Sequence, residues 1–195
     1  MQDAGQHARS SASEPCATPT PSAKWYRRRV DIRRATIADA AAIAGIHVRG
    51  WQWAYRGLLP DAVLDGLSVD ARAAEWRQWL SDEAVHTWIA EEGGRAVGFV
   101  NCGPTGEDTV GEIFTIYRER DAVGAGLGRA LLAHGMNDLA ARGFNEAVLW
   151  VLEGNAHARR FYEREGWVAD GGRKEQAFDD YVRYDVRYRI ALSRK

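Results

Sequence analysis

The chain has 195 residues, 46% of them hydrophobic and 27% charged, a globular composition with room for one domain and a tail. Its 26 Lys and Arg nearly cancel 27 Asp and Glu, for a net charge of −1, so there is no general basic surface to bind nucleic acid by counterion release. No apolar run approaches about eighteen residues and the first residues lack a basic start and apolar core, so neither a transmembrane helix nor a secretory signal is expected.

Two cysteines, Cys16 and Cys102, and 5 scattered histidines give neither a disulfide framework nor a metal-site spacing. No metal is therefore expected, and a reducing cytoplasm is the expected location. The 8 tryptophans are many for this length and belong either to a core or to the lining of a pocket.

The N-terminal stretch is rich in Ser, Ala, Pro and Thr and has almost no large apolar side chains. It cannot bury enough surface to offset its ordering entropy, so 1–27 reads as a disordered tail and 28–195 as one domain. The domain opens with a strand over Val30–Arg34. Thr36 and Asp39 then resemble a capping box. Ile43, Ile46, His47, Gly50 and Ala54 follow at helical spacing. Gly57, Pro60 and Gly66 punctuate a turn and a short helical piece, and Ser68 starts a helix through Trp76 and Trp79. A hairpin comes next, Val85–Glu91 and Ala96–Cys102 about a Gly93–Gly94 turn. A strand over Val110–Arg118 leads through the glycine-rich VGAGLG at 123–128 into a helix to Ala141, closed by Gly143. The apolar run AVLWVL at 147–152 suits a strand buried on both faces of a mixed sheet. Asn155 caps a helix ending at Gly166, and strands over Trp167–Asp170 and Tyr181–Ile190 finish the chain. The intervening GGRKEQAFDD reads as a loop whose mixed charges favour no one substrate class. The order β-α-α-β-β-β-α-β-α-β-β predicts an α/β sandwich around a mixed sheet.

The strand–turn–helix at 111–135 carries the strongest chemical signal. Glycines permit a sharp turn and close approach of a ligand to the backbone. The free N–H groups of the helix start and its macrodipole favour an anion there, and pyrophosphate is the natural guest. The alternative is a turn that needs glycine for packing alone. A dinucleotide-binding unit is disfavoured: the spacing is G-x-G-x-G in mid-chain after a hairpin, and Glu146 begins its strand instead of ending one.

Four segments, in order, resemble the GNAT superfamily of N-acetyltransferases: IRRATIADAAAIAGIHVRGWQWAYRGLLP (32–60), the strand–turn–helix at 111–135, VLWVLEGNAHARRFYEREGW (148–167) and VRYRIAL (186–192). The N-x-x-A-x-x-F-Y-E-x-x-G-aromatic pattern from Asn155 to Trp167 is the most specific. The resemblance implies a mixed, mostly antiparallel sheet of six or seven strands with helices on both faces, and acetyl-CoA as co-substrate. It places the pyrophosphate on Val123, Gly124, Ala125 and Gly126 and on Leu127, Gly128 and Arg129. It places the pantetheine along Ile116, Tyr117 and Arg118, and a contact to the CoA arm at Asn155, whose capping role alone would also explain it. The turn departs from the family pattern at Val123, where Arg or Gln is usual. Val123 offers only its backbone N–H, and Arg118, Arg120 and Arg129 are candidates to compensate.

The implied reaction transfers an acetyl group to a primary amine by direct attack. A lysine-like amine is free base in only about one molecule in a few thousand at neutral pH, so its proton needs a route out. Tyr162, the Tyr of the F-Y pair, is implied as the acid that protonates the leaving thiolate, against the alternative of a packing aromatic. Glu112 is the candidate base, against the alternative of an ion pair with Arg118, which alternation places on its face. His47 is a second, weaker base candidate that could simply be packed. Trp51, Trp53 and Tyr55 fall where the family's acceptor lies and could hold an ammonium by cation–π contact or belong to the core. The expected partner is a small-molecule amine, with a homodimer as the candidate assembly and neither nucleic acid nor membrane. A protein or peptide acceptor, and a non-catalytic acyl-CoA-binding module, are the competing readings.

Overall fold

A computed structural model describes residues 30–122, 126–178 and 181–193. The proposed tail, 1–27, lies outside them, as do Val123, Gly124 and Ala125. Seven strands form one sheet: β1 (Val30–Arg34), β2 (His86–Glu92), β3 (Arg95–Pro104), β4 (Val110–Arg118), β5 (Glu146–Leu152), β6 (Val168–Phe178) and β7 (Tyr181–Ala191), in the order β1-β2-β3-β4-β5-β7-β6. Only β4 and β5 run parallel; every other pair is antiparallel. Helices α1 (Ala40–Ala54), α2 (Asp61–Asp65), α3 (Val69–Ser81), α4 (Leu127–Ala141) and α5 (Ala156–Arg164) complete the fold. None of the described helices is long and apolar enough to cross a membrane.

The strands of the first half alternate between two cores. Ile89 and Phe99 face α1 and α3, where they meet Ile43, Ile46 and the almost fully buried Trp76. Val97, Val100 and Cys102 face α4, packing with Leu131, Leu132 and Leu139. Burial on both faces explains why the apolar runs of β3 and β5 do not alternate in sequence.

Ahead of α1, Asp39 ties the chain down. Its carboxylate accepts from the Thr36 N–H at 2.8 Å and from both terminal nitrogens of Arg33 at 2.9 and 2.8 Å. Chiefly through the Arg33 bonds, its pKa falls to about 2. A depressed carboxylate contributes stability above its unfolded pKa and loses it as pH falls through the folded one. Asp39→Ala is expected to destabilise the chain by about 1 kcal/mol at pH 7. In urea unfolding, the gap from wild type should narrow as pH drops from about 4 toward 2; a gap constant across that range would refute the role.

Two features differ from the sequence expectation. β6 does not stop at Asp170: it runs to Phe178, so most of GGRKEQAFDD is strand and not loop. Glycines 171 and 172 form a bulge between the Ala169–Tyr188 and Arg173–Val186 pairs, after which pairing resumes. Gly171 takes φ +85, which absorbs the extra residues without ending the strand. The second difference is in β4. Asn101 pairs with Thr115 but Cys102 pairs with Ile113, leaving Phe114 as an extra residue. Beyond this bulge the alternation of β4 is reversed. Glu112, opposite Gly103, lies on the α1 side; Arg118, opposite Gly98, lies on the side of Leu131 in α4. The two therefore sit on opposite faces, and the Glu112–Arg118 pair read from simple alternation does not form.

Candidate active site

β4 and β5 pair only from Val110–Glu146 to Glu112–Val148, although β4 continues to Arg118. Past Glu112 the strands part, and the edge of β4 facing β5 is left without a strand partner. A cleft of about 800 Å³ opens there. It is walled by β4 from Ile113 to Arg118, by the start of α4, by α5, and by the end of α1. An open strand edge beside a helix start suits an extended, amide-bearing ligand that ends in an anion.

At the α4 end, Gly126 takes φ +137, a backbone conformation that side chains rarely adopt, and a Cβ there would meet nothing within 4 Å. Gly128 has its nearest neighbour, Phe161, at 3.7 Å from an added Cβ. The helix start is thus open and lined by backbone, as a pyrophosphate cradle requires. Gly126, Gly128 and Arg129 line the cleft, whereas Leu127 is buried in the core. Arg129 is engaged with Glu165 at 2.7 Å. Asn155 caps α5 by accepting from the Ala158 N–H at 3.0 Å, and it also lines the cleft. The cap and a ligand contact are compatible here.

Tyr162 is 9% exposed, part of the core, and on the cleft wall. Burial, and then the nearby Tyr55, push its hydroxyl pKa up, so it stays protonated at any ordinary pH. Phe161 is the less buried of the pair and sits against the α4 start. Tyr117 lines the cleft, and its side chain packs toward α1, which the sequence did not signal. Its hydroxyl shares a hydrogen bond with that of Tyr55 at 3.0 Å. The ring can lie there because α1 offers a glycine: a Cβ on Gly50 would fall 2.5 Å from Tyr117 Cδ1.

The other acceptor-side residues divide. Tyr55 and Trp53 line the cleft, and Trp53 is 50% exposed with an edge contact to His157 of α5. Trp51 lies behind the wall, with the guanidinium groups of Arg72 and Arg183 5.8 and 5.7 Å from its ring centroid. His47 is buried in the α1–α3 core, and its Nδ1 accepts from Trp76 Nε1 at 3.1 Å. Burial, with Arg72 nearby, lowers its pKa to about 3. It is a neutral packing histidine away from the cleft, and its helical spacing on an apolar face was the signal for that. Glu112 does not line the cleft itself. It stands where β4 and β5 part, two residues from Phe114, which does. Burial raises its pKa, while Lys174 and Arg187 oppose the rise. Trp150 of β5, read from the sequence only as part of an apolar run, lines the cleft on the same sheet face.

A mixed seven-stranded sheet split between its parallel strands, with a glycine-started helix at the gap, is the architecture that the sequence resemblance implies. The comparisons agree. The Acetyltransferase (GNAT) family model matches residues 49–167, and the chain belongs to this family. It is similar to the uncharacterized N-acetyltransferase YuaI of Bacillus subtilis (strain 168), at 32% identity over 130 residues, 65% of this chain and 73% of that protein. It is also similar to the mycothiol acetyltransferase of Amycolatopsis mediterranei, at 33% identity over 128 residues, 62% of this chain but 40% of that enzyme. Among solved structures, PaiA N-acetyltransferase from Thermoplasma acidophilum, in complex with coenzyme A, superposes with a TM-score of 0.64 at 16% identity, over 82% of this chain and 98% of that one. That likeness is one of fold. The protein is an N-acetyltransferase, and its co-substrate is acetyl-CoA.

Proposed function

We propose that the protein acetylates the primary amine of a small molecule by direct attack on the acetyl-CoA thioester. The observation that carries this reading is the cleft between the parting strands, which joins the α4 helix start to an aromatic acceptor side. Its size is that of a small-molecule site. The end of α1, at Trp53, Ala54 and Tyr55, roofs the acceptor side, and the loop after it is anchored by Leu59, packed into a buried cluster with Leu64 and Leu152. Such a roof favours a small acceptor over a protein segment, which needs an open groove.

In this reading the backbone of Gly126 to Arg129, with Val123 to Ala125 before it, holds the pyrophosphate. The freed edge of β4 at Ile116, Tyr117 and Arg118 aligns the pantetheine, and its N–H groups donate to the thioester oxygen as charge develops there. Asn155 supports the CoA arm while it caps α5. Tyr55 and Trp53 face the acceptor; Trp51 and His47 shape the wall from behind. The amine nitrogen bonds to the acetyl carbon and the carbon–sulfur bond breaks. The ammonium's proton passes to Glu112, directly or through a water, before attack; Tyr162 gives its proton to the departing sulfur and regains one from the nitrogen of the adduct, directly or through a water. Releasing the amine's proton at neutral pH costs roughly 4–5 kcal/mol, which a base of raised pKa lessens.

The test is acetyl-CoA turnover against a panel of amines, read by thiol release, in wild type and Glu112→Gln. Because the folded pKa of Glu112 is raised, the acidic limb of kcat/KM should lie above the ordinary carboxylate range, with the base form active on its alkaline side. Glu112→Gln should lose that limb, fall by about 10-fold or more at pH 7, and recover at high pH, where the amine is already neutral. An unaltered profile would take the base role from Glu112.

A further inference from the structure

The charged side chains on the acceptor face of the β5–β7–β6 wing pair off among themselves, apart from Lys174. Alternation along β7 puts Arg183, Asp185, Arg187 and Arg189 on this face, opposite Tyr188 and its buried neighbours. Arg183 pairs with Asp185 at 3.4 Å, and Arg187 and Arg189 both pair with Asp170, at 2.8 and 3.2 Å. Arg189 also reaches Glu146 at 2.8 Å. The Lys174 side chain remains, as does that of Glu112 on the neighbouring β4, neither with an ion pair or hydrogen bond to another described residue. The Lys174 ammonium lies 4.3 Å from the ring centroid of Trp150, a residue that lines the cleft. Glu112 lies on the same face, where β4 meets Val148 of β5.

We propose that Lys174 and Glu112, with the Trp150 indole beside the lysine, form a receptor for a zwitterionic acceptor: a small amine carrying an acid group, its amine toward Glu112 and its acid toward Lys174. This rests on the small-amine reading above and deepens it. A simple ammonium entering here would meet Glu112 but also the fields of Lys174 and Arg187, which repel it. An acid group on the same molecule turns that repulsion into a second ion pair. An acceptor without the acid leaves Lys174 unmatched, so selectivity arises from the penalty on the wrong ligand as well as from the attraction of the right one. The cation–π contact with Trp150 holds the lysine in place ahead of binding.

The test compares L-methionine, L-phenylalanine and β-alanine, each with its own carboxamide, and tyramine as an amine without an acid group. Thiol release from acetyl-CoA is followed with the full chain. The carboxamides of the α-amino acids have the less basic amines and so more free base, which means that a preference for these acids cannot come from the proton. At least one acid should exceed its carboxamide in kcat/KM by about 10-fold or more. Lys174→Met should bring that ratio to about one, mainly through KM, and Lys174→Arg should keep most of it. Equal turnover of acids and carboxamides, or a Lys174→Met enzyme that keeps the ratio, overturns the zwitterion receptor alone. Absence of thiol release with every amine, while acetyl-CoA still raises the melting temperature, overturns the small-amine reading and this inference with it.

Discussion

Tyr162→Phe is expected to lower the rate of acetyl transfer by about 10²-fold or more, while acetyl-CoA affinity stays within about a few-fold. The substitution keeps the ring, which packs in the core between α5 and the sheet near Trp167 and Tyr188. It removes only the hydroxyl, which makes no hydrogen bond to a described residue, so folding should be nearly unaffected. Burial keeps this hydroxyl protonated, as a donor to a departing thiolate must be. A thiolate released into a largely desolvated cleft without a proton source is a poor leaving group, and the loss should appear in kcat. Single-turnover rates with saturating acetyl-CoA check this. Rates equal to wild type would remove Tyr162 from the chemistry and direct attention to the Tyr55–Tyr117 hydroxyl pair, which lines the same cleft.

Gly126→Glu is expected to abolish the thermal stabilisation that acetyl-CoA confers. A ligand bound only by the native state adds RT ln(1 + [L]/Kd), about 2.7 kcal/mol at a hundred times Kd, so a functioning site gives a readable shift. The glutamate opposes the pyrophosphate with a like charge at the start of α4. It also forces a side chain onto φ +137, at a cost of order 1–3 kcal/mol to the apo protein. Gly128→Glu separates these two effects. Its position lies inside α4, and an added Cβ meets only Phe161 at ordinary contact distance. It should also lose the acetyl-CoA shift, but with an apo melting temperature near wild type. A shift retained in both variants would move the anion site away from the α4 start.

The element order, the glycine turn before α4 and the Asn155–Trp167 pattern were legible in the chain because each rests on local chemistry. Helical spacing, capping residues and glycines at a strand-to-helix junction act over a few residues, and the same forces operate in the fold. Of the residues implied for the cofactor side and the leaving group, Gly126, Gly128, Asn155 and Tyr162 line one cleft. The acceptor side was less legible. Trp51 and Tyr55 share one helical turn of sequence, yet Tyr55 faces the cleft and Trp51 is clasped by Arg72 and Arg183 from distant elements.

By itself the sequence determined the fold class and the acetyl-CoA-dependent acetyltransferase family. Tertiary structure alone decided which residues share a face. The bulge at Phe114 reverses the alternation of β4, so Glu112 and Arg118 part, and that bulge exists only through pairing with β3. His47 became a neutral core residue because α3 brings Trp76 against it, 29 residues further along the chain. Lys174 met Trp150 because the bulge at 170–172 carries β6 onward beside β7, which lies between β5 and β6. Register and strand order depend on long-range pairing, to which no local pattern of side chains gives access.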